Sequence, residues 1–424
     1  MAGLFPLLIN YMNYRTQLLY LLGFLMLAAK STSAAAPQLP RAAELRELLN
    51  PGTQLIFHGG IANIRAPMQG LFEDERGDKT LAPEDGTKTV STEDIPRLGA
   101  ETYTVVTVSA VTANEATLDE KLYVVNPLTK NVIYPDGFPQ SIGHKINAGE
   151  PGETYCLLPS VLRELKESPD MKIVRGVYRW NGSDREAVTL ITRTKTSRSR
   201  STFDAETGLR LSYYAVLAGP TVNAVLDDNW YQKTSLKSAI YANLETVRNP
   251  QYPWAKSEAP TWVKPRESLH YAGTGGMPGL SFGGMMPMQL DIQINEAARG
   301  WASYSQRLSV VATPTPGQIV NGVSSFGGPW LPPRGLTGLT NGQVIDRIPG
   351  LNVILSVKAV DRNSVTFDFT SSELQSTFVY SLSSGVLLSF THQTAMNGQA
   401  ARFSFVLSGG DKPAEAAAAS SASR

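Results

Sequence analysis

The stretch Asp184–Tyr213, DREAVTLITRTKTSRSRSTFDAETGLRLSY, returns without a gap as Asp361–Phe390, DRNSVTFDFTSSELQSTFVYSLSSGVLLSF. Val365 follows Val188 by 177 residues. Asp184-Arg185, Val188-Thr189, Ser199, Gly208 and Leu211-Ser212 recur as Asp361-Arg362, Val365-Thr366, Ser376, Gly385 and Leu388-Ser389. Aromatics also face aromatics, Phe203 with Tyr380 and Tyr213 with Phe390. Such a match over thirty residues implies a tandem duplication of a β-rich unit, an antiparallel meander that buries one face and wets the other. It points to a scaffold that binds or packs, and no catalytic signature stands beside it.

Strands extend outward from this pair. Thr102–Ala110 and Glu115–Val125 form a hairpin around Ala113-Asn114. Lys172–Trp180 and Ala187–Thr194 form another around Asn181-Gly182, two residues that tolerate the positive φ of a tight hairpin turn. Thr202–Asp204 and Leu209–Leu217 flank the turn 205–208. The second half supplies Asn352–Val360, Ser364–Thr370, Leu374–Ser381, Val386–Gln393 and Ala401–Ser408. Val106–Asp119 resembles Leu355–Asp368 through a shared Val-x-Ala-Val-x-x-Asn-x-x-Thr-x-Asp pattern, so one hairpin design is used three times.

Helices are few. Arg41–Leu49 has helical spacing and stops at Asn50-Pro51-Gly52, because proline cannot continue the ladder and glycine permits the cap. A short helix is expected at Pro159–Lys166. A third is expected at Ser235–Val247, which sets Leu236, Ile240, Leu244 and Val247 on one face. Asn249–Met288, rich in proline, glycine and aromatics, reads as an irregular connector that wraps a surface or moves.

The fold class that follows is mainly β: two tandem, duplicated antiparallel sheets, curved or half-barrel, with a few short helices. Its expected organisation is a signal peptide over 1–36, a first β-rich domain over 37–218 and a helix plus connector over 219–272. A second β-rich domain fills 273–410, and a disordered Ala/Ser tail fills 411–424.

The N-terminus has the order an exported chain shows. Arg15 precedes the apolar run Leu18–Ala29, and the small residues Ser31–Ala36 follow. Cleavage is expected near Ala34 or Ala36. Met12 offers a second start, and an uncleaved anchor is the alternative. The run is short of the ~20 residues of a comfortable span, and no second one follows, so no membrane span is expected after cleavage. The expected location is the periplasm or the exterior.

The one cysteine, Cys156, can form neither an intrachain disulfide nor a lipid attachment behind the signal. Charges nearly cancel, 38 basic against 37 acidic, which gives no support to nucleic-acid binding. Cofactor and metal motifs such as a P-loop, a dinucleotide fingerprint, H-E-x-x-H or an EF-hand loop do not occur, so no cofactor or metal is expected.

Four clusters are candidate sites. Leu280, Phe282, Met285, Met286 and Met288 make an unusually apolar loop, which packs beneath the aromatic connector or offers a binding surface. Arg193, Lys195, Arg198 and Arg200 fall on alternate positions of two paired strands, a basic stripe suited to phosphate or carboxylate or to a solvated outer face. Gly279–Gly283 matches the G-x-S-x-G elbow around Ser281, with Asp291 and His392 following in hydrolase order. The elbow needs a strand entering and a helix leaving, and Pro278 and Gly284–Pro287 supply neither. Methionines 277, 285, 286 and 288 near His270 could suit Cu(I), or fill an irregular apolar interface.

Phe203–Leu209, FDAETGL, resembles the strand–turn–strand of exported bacterial β-proteins, including those of the lipoprotein-carrier type. The resemblance implies a curved antiparallel sheet that shelters an apolar guest, and it transfers no site residue. The leading expectation is a non-enzymatic exported protein that binds a lipid-like ligand or an envelope protein. The alternatives are an assembly protein that docks subunits without a small ligand, and a serine hydrolase using Ser281.

Overall fold

A computed structural model describes residues 49–67, 100–112, 115–125, 132–136, 142–150, 155–193, 197–218, 234–255, 257–276, 285–298, 300–311, 318–324, 328–372, 374–396 and 399–410. The signal region, the 41–48 helix, the C-terminal tail, and Lys195, Leu280, Ser281 and Phe282 lie outside them.

The first half runs β1 (Gln54–Pro67), β2 (Ala100–Val111), β3 (Glu115–Val125), β4 (Val132–Asp136) and β5 (Ile142–Asn147). Helix α1 (Pro159–Glu164) follows, then β6 (Met171–Trp180), β7 (Ser183–Arg193), β8 (Ser197–Asp204), β9 (Arg210–Ala218) and β10 (Thr234–Arg248). The second half runs β11 (Ser268–Gly276), β12 (Met286–Ala298), β13 (Trp301–Val310) and β14 (Gln318–Ser324). After a 3-10 turn (Pro333–Gly335) come β15 (Val344–Ile348), β16 (Val353–Val360), β17 (Ser364–Thr370), β18 (Leu374–Ser381), β19 (Leu387–Met396) and β20 (Gln399–Gly410).

Each half is one ten-stranded antiparallel sheet, and neither closes into a barrel. The orders are β4-β3-β2-β1-β10-β9-β8-β7-β6, with β5 also on β3, and β14-β13-β12-β11-β20-β19-β18-β17-β16-β15. In both, the first strand pairs with the last at the centre, and the chain crosses one face to reach the far edge. The first sheet curls enough for the β6–β7 tip to touch β10. Trp180 Nε1 donates to the Leu244 carbonyl at 2.6 Å, and Asn181 Nδ2 to that of Glu245 at 3.1 Å.

The sequence repeat coincides with a repeat of geometry. A bulge at Thr202/Phe203 between β8 and β9 has its counterpart at Val379/Tyr380 between β18 and β19. The bulge at Ile56/Phe57 matches that at His270/Tyr271 in the central pairs. Gly208 and Gly385 hold φ of 75° and 71°, a conformation that costs other residues about 1–2 kcal/mol. Each accepts a backbone hydrogen bond from the crossing segment, Leu157 N at 2.9 Å and Leu331 N at 2.8 Å. The third hairpin is just as close. β2–β3 bulges at Val108/Ala110 and β16–β17 at Val357/Ala359, and turns 50–53 and 340–343 grip Val108 and Val357 alike.

Two expectations are corrected. Ser235–Val247 is strand β10, not a helix: its apolar residues Leu236, Ile240 and Leu244 are spaced by four, which is even and therefore also fits the two-residue period of a strand. The stretch 219–272 thus holds the last strand of the first sheet and the start of the second, and the irregular connector narrows to 249–267.

Apolar side chains fill both crossed faces. In the first half Leu55, Phe57, Val106, Leu118 and Leu211 meet Tyr155, Cys156, Leu158 and Val161 of the crossing segment, with Val188, Leu190 and Phe203 under Leu157 and Leu162. Cys156 is a buried thiol. A further cluster joins the halves: Ile56, Tyr103, Val105, Tyr123, Val125 and Val132 pack against Ile348, Leu351, Val353 and Leu374. Each buried side chain of this kind contributes about 1.5–3 kcal/mol, whereas the exposed Lys145–Glu296 pair at 3.2 Å is worth under ~1. Apolar contact therefore holds the seam, and Arg248 fixes its register. Its guanidinium takes both carboxylate oxygens of Asp346 at 2.8 and 2.7 Å, while Tyr252 donates its hydroxyl to the same group at 2.8 Å.

Candidate ligand-binding face

The inner face of the second sheet is a continuous apolar surface. Met288, Leu290 and Ile292 of β12 stand beside Tyr271 of β11, Phe405 and Leu407 of β20, Phe390 of β19, Phe378 of β18 and Phe367 of β17. Rings hold one another: Phe390 stacks on Phe405 at 5.0 Å and meets Tyr271 edge-on at 6.3 Å. Gly273 and Gly275 leave the room that the large side chains fill. A Cβ at Gly275 would come within 2.4 Å of Met288 Sδ and 2.5 Å of the Phe403 ring.

One end of this face is covered. Trp254 from the connector packs edge-on against Phe367 at 5.5 Å, and Leu331, Leu336 and Leu339 of the crossing segment join it. Tyr271 donates its hydroxyl to the Leu387 carbonyl at 3.0 Å and Tyr380 to that of Gly328 at 2.9 Å. Burial raises the pKa of both phenols. Towards the other end Leu308, Val310 and Phe403 are only partly buried.

Gln306 lies within this apolar surface. It occupies β13 opposite Ile292 of β12, with Tyr304 and Leu308 as its neighbours on the same face. The residue is 3% exposed, yet neither its Oε1 nor its Nε2 has a hydrogen-bond partner among the described residues. An unsatisfied buried amide costs about 1–3 kcal/mol, so the position calls for a partner. On the same face His392 Nδ1 shares a hydrogen bond with Ser376 Oγ at 2.9 Å, and burial pulls the imidazole pKa down to about 4.

The first half carries a polar group where the second has an apolar core. Arg210 stands where the repeat places Leu387, and Tyr155 where the second crossing segment has Pro329. The Arg210 guanidinium lies 5.1, 4.7 and 5.0 Å from the rings of Phe57, Tyr155 and Tyr213, and burial lowers its pKa. Tyr155 donates its hydroxyl to Glu120. The trio pins the crossing segment to the sheet, with the buried charges of Arg210 and Glu120 set against each other.

Of the sequence candidates, Met286 and Met288 open β12, on the side of the strand that continues as Leu290 and Ile292. Met288 packs into the core, and Met285 is exposed. Arg193 and Arg198 stand directly opposite each other on β7 and β8, and Arg200 is opposite Ile191. Their face is the reverse of the one bearing Val188, Leu190 and Phe203. The basic stripe and the methionines thus belong to different sheets.

Asp291 pairs with His270 at 2.7 Å on the outer face of β11–β12, whereas His392 points inward, so these members of the hydrolase order are not brought together. The same alternation sets His270 and Met288 on opposite faces. Among the described residues no group of three or more His, Cys, Asp or Glu could hold a metal ion.

Gln306 was legible as a polar residue inside the alternation Ala302, Tyr304, Gln306, Leu308, Val310. Arg210 was legible as a mismatch within the repeat.

No described helix is long and apolar enough to cross a membrane. No protein-family model and no curated protein matches the chain. Among solved structures, the complex structure of Pseudomonas aeruginosa MucA/MucB is similar over 88% of this chain and 93% of that chain, at 9% identity and a TM-score of 0.21. A likeness this loose carries no argument about function.

Proposed function

We propose that this is an exported, non-catalytic binding protein that holds an amphipathic guest against the inner face of its second sheet. The guest's apolar part lies along Met288, Leu308, Val310 and Phe403, and an amide linkage pairs with the Gln306 side chain, its carbonyl accepting from Nε2 and its N–H donating to Oε1. The buried Gln306 amide, without a partner among the described residues, supports this reading most directly. The side-chain amide presents N–H donors and a carbonyl acceptor together, which suits an uncharged linkage that offers both better than a bare charge.

Native mass spectrometry of the chain purified from an exporting host tests it. Extra mass that disappears on organic extraction, and is lost in Gln306→Leu, is the expected result. If Gln306 is only an orphan in the core, Gln306→Leu raises the melting temperature and changes no bound mass, and the proposal fails.

A further inference from the structure

The four outer edges of the two sheets are treated differently. β14 lies against β5 and β3, and β4 lies against β18 and β19, so those edges meet across the seam. β16 and β6 correspond, since each leads into a copy of the repeat. β16 carries β15 on its outer side, paired from Val344↔Ser356 to Ile348↔Val353. β6 pairs with β7 alone among the described residues, so no described strand of the first half is a counterpart of β15.

The hairpin turn decides which β6 groups face outward. Asn181 and Gly182 hold φ of 47° and 80°, a two-residue turn whose flanking residues, Trp180 and Ser183, bond to each other. Alternation then directs the N–H and C=O of Met171, Ile173, Arg175, Val177 and Arg179 away from β7. The chain satisfies the first of these itself. Met171 exchanges both backbone bonds with Ser168 at 2.9 and 3.1 Å, and Ile173 N donates to Glu167 Oε1 at 3.0 Å. Arg175, Val177 and Arg179 are exposed, Val177 at 57%, and a Cβ at Gly176 would meet nothing within 4 Å. Arg175 Nη2 donates to the Leu162 and Arg163 carbonyls, and its remaining N–H groups stay at the edge.

We infer that the β6 edge is a docking site for an extended acidic segment of a partner protein, which adds as a strand in the position β15 holds in the second half. Main-chain bonds to Arg175, Val177 and Arg179 supply the affinity, and alternate side chains supply the choice. β6 carries Lys172, Arg175 and Arg179 and no acid. Those charges repel a second copy of the same edge and favour glutamate or aspartate opposite Arg175 and Arg179, with an apolar residue opposite Val177. The inference is independent of the guest on the second sheet.

The test is amide hydrogen exchange on the full chain with the peptide acetyl-Thr-Glu-Thr-Val-Thr-Glu-Thr-amide. Exchange at Arg175, Val177 and Arg179 should slow by more than about tenfold, and less at high salt. Val177→Pro removes an outward N–H that the fold does not use, so it should abolish the protection and leave the melting temperature unchanged. Should that proline disturb the hairpin, Arg179→Glu must shift preference to the lysine analogue of the peptide. Unchanged exchange at millimolar peptide, equal protection by the lysine analogue on the native chain, or a homodimer that Val177→Pro dissociates would each overturn the inference.

Discussion

His392 shows what burial does to a single side chain. The imidazole sits among apolar residues, 6.3 Å from the Phe403 ring, and gains its proton only at about 4. In the unfolded chain it gains it at 6.5, so the unfolded state binds more protons between those values. The contribution of neutral His392 is therefore complete above about pH 6.5 and is lost as pH falls towards 4. The melting temperature should drop across that window, and His392→Phe should flatten the drop. An equally steep profile in the variant would show that other groups carry it. Arg210 illustrates the opposite solution, a charge kept in the core by three rings and a tyrosine-linked carboxylate, where Leu387 shows that the fold itself needs no charge.

Turns within the elements divide into those that only change direction and those that also carry the crossing segments. Gly182 has positive φ but open space around it, so Gly182→Ala should cost about 1–2 kcal/mol, the conformational term alone. Gly208 and Gly385 have the same φ, but an added Cβ would fall 1.8 Å from the Leu157 carbonyl oxygen and 1.9 Å from that of Leu331. Backbone cannot give way as a side chain does. Alanine at either should cost on the order of 4 kcal/mol and release its crossing segment, measurable by urea denaturation and by proteolysis near α1 for Gly208 or near Pro333–Gly335 for Gly385. Similar losses at Gly182 and Gly385 would show that the close approach is not decisive. The repeat was legible because the positive φ of these glycines is a local demand of the turn, as is the capping of Asn363 N and Ser364 N by Asp361. The crossing segments were not, because Cys156↔Leu209 and Trp330↔Val386 are contacts between residues distant in the chain.

The whole molecule is set by the seam. Ile56, Tyr103 and Val105 are buried on the side of the first sheet that the crossing segment leaves free, so both faces are covered here and Ala116–Glu120 of β3 are buried without alternation. Arg248 and Asp346 sit over this cluster, with side chains 16% and 9% exposed. Asp346→Ala strands the arginine and removes the acceptor of Tyr252, at a cost on the order of 2 kcal/mol, below the value for full burial. With the seam weakened, one calorimetric transition should separate into two. A single transition, merely shifted, would mean that the apolar cluster alone couples the halves.

The sequence by itself determined the β class, the tandem repeat, most hairpins and the position of α1, because alternation, turn residues and caps act within a few residues of the chain. Tertiary structure alone decided that Ser235–Val247 is a strand, since a spacing of four satisfies both periods and only pairing with β1 and β9 selects one. It also decided that Arg193, Arg198 and Arg200 lie on a different sheet from Met286 and Met288 and that, among the described residues, Gln306 is buried without a partner and β6 has an open edge. Each depends on which strands become neighbours, a choice made by burial between distant segments and not by any one of them.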